Sequence, residues 1–207
     1  GDLPYNEVNS IMRARDNLMW IGMLGGGVCK IQTAGMKFEF NRLDPVRARF
    51  NTSSVRSMYY IGEGEYWLGY NTRSGRIVSY REHPDLCVLP YTSTVNAIIR
   101  RNATSELCFA TWSSGVWCYD EKRHRVRQIN RNTLPLFADD CVLALREDPD
   151  GNLWIGSRSG IYIESASGQL STLDIWLGRK TPFASTRIFD ICCTGDGVVW
   201  IATNGDG

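Results

Sequence analysis

The stretch Val142-Leu143-Ala144-Leu145-Arg146-Glu147-Asp148-Pro149-Asp150-Gly151-Asn152-Leu153-Trp154-Ile155-Gly156-Ser157-Arg158-Ser159-Gly160 decides the fold. It reads as a short apolar strand, a Pro-Asp-Gly turn, a second apolar strand on Leu153, Trp154 and Ile155, and a polar loop closed by glycine. Four other segments are imperfect copies of it. Aligned on Trp154, they place Trp20, Trp67, Cys108 and Trp200 in one slot, at successive intervals of 47, 41, 46 and 46 residues. Val8, Val55, Val142 and Ile188 each stand 12 positions before their tryptophan, and Val95 stands 13 before Cys108.

A repeat of that length is too long for leucine-rich or ankyrin units and suits a four-stranded propeller blade. HEAT repeats share the length but need helices, whereas here the apolar period is mostly two and turn residues are dense. In the fourth copy the strands are expected at Val142 to Arg146, Leu153 to Gly156, Ile161 to Glu164 and Gln169 to Leu173. The reading is therefore all-β: a β-propeller of four-stranded antiparallel blades, present over 1–207 as an incomplete ring of about four and a half blades. Blades start near 8, 55, 95, 142 and 188, and the last is truncated after its second strand.

Composition agrees. Twenty glycines, seven tryptophans and nine tyrosines fit many short strands joined by tight turns. A formal net charge of +1 gives no long-range attraction to nucleic acid or an anionic membrane. No apolar run approaches the roughly 20 residues of a membrane helix, and no basic segment followed by an apolar core opens the sequence. A targeting signal, or any membrane contact, belongs to segments absent here. The seven cysteines, Cys29, Cys87, Cys108, Cys118, Cys141, Cys192 and Cys193, are odd in number and lack C-x-x-C spacing, so they read as small buried apolar residues rather than disulfides or ligands.

The Val142-x-x-Leu145 spacing, the Asp148-Pro149-Asp150-Gly151-Asn152-Leu153-Trp154-Ile155-Gly156-Ser157 core, and the related Leu18-Met19-Trp20-Ile21-Gly22 and Val199-Trp200-Ile201-Ala202-Thr203 resemble the two-component regulator propeller repeats. The resemblance covers nearly the whole chain, with the second and third copies degenerate. It implies the periplasmic sensor part of a hybrid two-component system of the Bacteroides type, in which many blades precede a membrane span and a histidine kinase. It also implies detection of oligosaccharides from complex polysaccharides, signalling across the membrane, a ring completed by further blades, and pairing with a second sensor chain. Nothing kinase-like occurs in this sequence.

Because Trp20, Trp67, Trp154 and Trp200 recur in one slot, they read as packing between blades; a ligand site would not repeat in every blade. Departures from the repeat point to function. The loops after strand two and those leading into strand one share one rim of a propeller. There they carry Trp112, Arg158, Tyr70, Asn71 and Arg73, together with Arg56, Asn96, Asp139, Asp140 and Arg187. An aromatic face beside amides, guanidinium groups and carboxylates suits a sugar or acidic oligosaccharide. Trp112 is the leading candidate, since other copies place smaller or more polar residues there. The basic run Lys122, Arg123, His124, Arg125 and Arg127 reads as a solvated hairpin. With only His83 and His124 present, both in outer segments, no triad, metal site or cofactor motif is expected. Two rivals stand beside the sensor: a propeller enzyme resembling the streptogramin-inactivating lyases, and a protein-binding scaffold.

Overall fold

The computed structural model describes residues 7–13, 18–24, 27–32, 37–41, 54–62, 65–71, 77–80, 94–183 and 186–205. The chain divides into two compact units, Gly1–Val95 and Asn96–Gly207. In the first, β1 (Val8–Arg13), β2 (Leu18–Met23), β3 (Gly27–Gln32) and β4 (Lys37–Asn41) form a sheet in chain order, and β5 (Ser54–Gly62), β6 (Glu65–Asn71) and β7 (Ile77–Tyr80) form another. Residues 81–93, where a four-stranded blade places the last strand of this sheet, lie outside the described residues.

The second unit holds β8 (Val95–Arg100, whose first residue falls at the division), β9 (Leu107–Thr111), β10 (Val116–Asp120) and β11 (Arg125–Ile129) as one sheet. A second sheet comprises β12 (Val142–Glu147), β13 (Leu153–Ser157), β14 (Gly160–Glu164) and β15 (Leu170–Thr172), and a hairpin of β16 (Ile188–Cys193) and β17 (Val199–Thr203) follows. The helix α1 (Leu173–Leu177) is absent from the sequence reading. Its signal is local: the Thr172 hydroxyl accepts from the Ile175 amide, and Gly178 ends the helix in the left-handed conformation at φ 64°.

The Val-x-x-Leu spacing is not the period of a flat strand, and a bulge explains it. Register slips between Val8 and Ser10, Val55 and Ser57, Val142 and Ala144, and Ile188 and Asp190. One extra residue in strand one turns positions i and i+3 to the same side. Accordingly Val142 and Leu145 are both buried, as are Ile188 and Ile191.

The glycine two places after the tryptophan slot is explained by close approach. A Cβ on Gly156 would lie 2.7 Å from Ile188 Cγ2; one on Gly69, 2.8 Å from Val95 Cβ; one on Gly22, 3.1 Å from the Val55 carbonyl oxygen. Each glycine meets the aliphatic residue at or next to the start of the following strand one, joined in the first two copies by the Ser10 or Ser57 hydroxyl, so the two most regular positions of the repeat touch each other. In the third copy Ala110 takes the glycine's place and shares a buried cluster with Val142. Gly156→Val is therefore expected to destabilise the second unit by about 1–3 kcal/mol through overpacking, with Gly156→Ala milder. An unchanged urea midpoint for the valine variant would refute the close approach.

Burial between successive sheets also fixes the tryptophans. Trp20 packs with Val55 and Leu68, and Trp154 with Ile188 and Ile191. Trp200 departs from this column and is 67% exposed, because no described strand follows β17 to cover it.

Candidate functional site

Three connections meet at one end of the second unit. The β9–β10 loop carries Trp112, Ser113 and Ser114; the β11–β12 connection carries Asp139 and Asp140; the β13–β14 loop carries Arg158. Gly115, held at φ 72°, donates its amide to the Asp140 carbonyl at 2.8 Å, and the Arg158 amide donates to the Cys141 carbonyl at 3.0 Å. The Arg158 Nε donates to Asp139 Oδ2 at 2.9 Å, while the Arg131 Nε donates to Asp140 Oδ2 at 3.0 Å. The neighbouring carboxylates thus diverge, each to its own guanidinium. Trp112 stands out from its loop, 43% exposed.

The structure therefore brings together the loops of Trp112, Asp139, Asp140 and Arg158. Asn96 serves the scaffold: its Nδ2 donates to the Val142 carbonyl at 2.7 Å, pinning the start of β12. Arg187 precedes β16, accepts the Asn204 amide on its carbonyl at 3.1 Å, and holds its guanidinium 6.0 Å from the Phe189 ring centroid. In the first unit Arg56 is exposed on β5, Asn71 ends β6, and Arg73 lies outside the described residues. Tyr70 corrects the rim expectation. It lies within β6 opposite Val55, 6% exposed among Trp20, Val28 and Leu68, and burial pushes its phenol up.

Sequence reasoning missed the buried charges of the second unit. In the fourth copy Asp148 organises the turn: its carboxylate accepts from Trp154 Nε1 at 2.8 Å and from the Asn152 amide at 2.8 Å. Burial raises the Asp148 carboxyl, but those bonds outweigh it and hold it below the ordinary carboxylate range. In the third copy Arg101 occupies the equivalent turn position, with Cys108 in the tryptophan slot. Arg101 Nη1 donates to Glu164 Oε2 at 2.7 Å, Nη2 donates to the Gly151 carbonyl at 2.8 Å, and Nε lies 3.5 Å from Glu147 Oε1. Arg127 joins Glu164 to Glu106, with Nη1 2.6 Å from Glu164 Oε1 and Nε 2.8 Å from Glu106 Oε1. Burial raises the Glu106 carboxyl, and the Arg127 guanidinium reverses this to leave it below its usual value. Arg127 is thus withdrawn from the basic hairpin, where Asp120 pairs with Arg123 at 3.0 Å. The signal available beforehand was the joint loss of the acidic turn and the tryptophan in one copy.

Sequence comparison matches the two-component regulator propeller at residues 2–25, 136–159 and 182–205. Those three segments carry the two-component regulator propeller pattern. The matched segments contain the first, fourth and fifth tryptophan slots, the three copies with the fullest Trp-Ile-small core. The propeller chain is 22% identical over 177 residues to histidine kinase P4 of Formosa agariphila, covering 80% of this chain and 13% of that protein. Its fold is similar to the extracellular domain of a hybrid two-component system from B. thetaiotaomicron, with a TM-score of 0.70, 15% identity, and coverage of 97% of this chain and 28% of the other. A streptogramin B lyase structure is similar at a TM-score of 0.58 and 15% identity, covering 96% of this chain and 76% of the lyase. The fold is a β-propeller of antiparallel blades. The propeller chain spans only a small part of the kinase it matches, and among the described residues no helix is long and apolar enough to cross a membrane.

Proposed function

We propose that the chain is a non-catalytic, ligand-sensing propeller segment from the periplasmic region of a hybrid two-component sensor, and that it binds a neutral oligosaccharide at the rim of its second unit. The observation that carries this reading is the exposed indole of Trp112 on a loop tied to two compensated pairs, Arg158–Asp139 and Arg131–Asp140. An exposed aromatic face stacks on the apolar face of a sugar ring. Guanidinium groups already facing carboxylates offer hydrogen bonds without a net charge, which favours hydroxyl-rich ligands over acidic ones. The similarity to a histidine kinase and to an extracellular two-component domain supports the sensor class. Further blades would cover the face around Trp200, and pairing with a second sensor chain would carry the change towards the kinase.

Calorimetry of the complete sensor region against a panel of neutral and acidic glycans tests this. Binding without product formation is expected, with Trp112→Ala weakening it about tenfold, or about 1.4 kcal/mol, at an unchanged melting transition. Turnover of a glycan would replace the sensor reading with an enzyme, and unchanged affinity in the variant would remove Trp112 from the site.

A further inference from the structure

In the slot where other sheets set tryptophan opposite Lys30, Ser79 or Ile163, the third sheet sets cysteine opposite cysteine. Cys108 on β9 and Cys118 on β10 are direct register partners. Their kind of pairing follows from the hairpin. The Thr111 amide donates to the Gly115 carbonyl at 3.0 Å, which places Thr111 and Gly115 at a hydrogen-bonding position of the ladder, with the Gly115 amide turned to Asp140. Antiparallel pairs alternate, so Cys108 and Cys118, three pairs along, form a non-hydrogen-bonded one. There the Cα atoms stand about 4.5 Å apart with side chains at their closest, inside the range of about 4.4–6.8 Å that a disulfide needs. The two Sγ atoms and a Glu106 oxygen lie within 4.8 Å of one another, and both cysteines are fully buried.

Two chemistries fit paired thiols beside a carboxylate: a soft metal ion or a disulfide. The surroundings separate them. Glu106 Oε1 accepts from Arg127 Nε at 2.8 Å, and Oε2 accepts from Arg127 Nη2 at 2.8 Å and from Thr104 Oγ1 at 3.0 Å. A divalent cation would lose its third ligand to a guanidinium and be repelled by the same group. A disulfide is neutral and needs no third ligand. It also suits the apolar cluster of Ala110, Val116, Ile129 and Val142 that surrounds the pair.

We propose that Cys108 and Cys118 are a modification site, closing to a cross-strand disulfide. One thiolate attacks a sulfur of a low-molecular-weight disulfide oxidant and expels a thiol; the other thiolate then attacks the mixed disulfide and expels the second. Two S–H bonds are exchanged for one S–S bond in the protein, and the oxidant leaves as two thiols carrying the protons. Burial pushes the Cys108 thiol up and shields it once folded, so closure takes place on the hairpin before the neighbouring sheet covers it. The geometry stands apart from the functional reading above, which would add only an oxidising compartment.

The test is refolding of the complete sensor region from urea with oxidised and reduced glutathione, followed by alkylation in denaturant and unreduced peptide mapping. Chymotrypsin cuts at Phe109, Trp112 and Trp117 and so separates the two cysteines. The expected result is a linked pair of peptides containing Cys108 and Cys118, lighter by two hydrogens than the free thiols. Dithiothreitol should abolish it and lower the urea midpoint, a shift missing from the Cys108→Ala/Cys118→Ala double variant. Recovery of both cysteines alkylated after oxidation, either one linked to another cysteine such as Cys141, or zinc retained by the native protein with both thiols protected would overturn the proposal. The mapping uses the unmodified chain, so it decides even where the double variant fails to fold.

Discussion

Arg101→Ala is expected to cost the second unit about 3–5 kcal/mol, the range for removing one partner of a buried ion pair. Arg101 is 2% exposed; its Nη1 and Nη2 donate to Glu164 and the Gly151 carbonyl, and its Nε lies 3.5 Å from Glu147 on the neighbouring sheet. Its loss leaves the Gly151 carbonyl without this donor and two buried carboxylates with one cation fewer. Glu164 keeps Arg127, and Glu147 keeps the amides of Asn102 and Ala103, so the loss should fall near the lower end. Arg101→Lys retains the charge but not the fork that reaches the Glu164 carboxylate and the Gly151 carbonyl at once, and should fall between alanine and wild type. Urea unfolding followed by tryptophan fluorescence measures this, and a loss under about 1 kcal/mol would mean the pairs contribute no more than solvated surface bridges do.

The contrast between the third and fourth copies shows what a sequence displays of such a fold. The blades were legible because, within each unit, one sheet buries the same positions against the next. Strand one was expected near 8, 55, 95, 142 and 188 and begins at Val8, Ser54, Val95, Val142 and Ile188. The Val-x-x-Leu spacing was equally visible, but its cause was not, since a bulge is defined by the partner strand's register. Arg101 is the opposite case. Nothing local marks it as buried, because its carboxylate partners are supplied by residues 46 and 63 positions away, Glu147 and Glu164. The site divides the same way. Trp112 and Arg158 stood out as departures from the repeat, yet the pairing of Arg158 with Asp139 depends on how two connections meet. Tyr70 departs from the rim for a related reason: β6 runs through Asn71, so Tyr70 and Asn71 both belong to the strand rather than to the polar loop.

Phe137→Ala is expected to be as damaging as the loss of Arg101, and to reach the rim as well. Phe137 lies in the connection between β11 and β12, after Leu134, Pro135 and Leu136, and is 1% exposed. Its ring centroid is 4.5 Å from that of Tyr162 with the planes tilted by 37°, inside the cluster formed by Val142, Leu145, Leu153 and Ile155. The Tyr162 hydroxyl accepts the next amide, Ala138, at 2.9 Å, so ring and hydroxyl together fasten the chain just before Asp139 and Asp140. Truncation removes the ring's transfer free energy and leaves a cavity, at about 3–5 kcal/mol for a buried phenylalanine. It also removes the anchor that fixes where Asp139 meets Arg158 and Asp140 meets Arg131. Faster hydrogen exchange at Ala138 and Cys141 should therefore accompany the lower urea midpoint, and glycan affinity should fall even where the folded state dominates. Tyr162→Phe keeps the packing and loses only the hydroxyl, so it should cost about 1 kcal/mol and speed exchange at Ala138 selectively. Equal exchange in all three proteins would show that the connection is held by its own turns rather than by the aromatic pair.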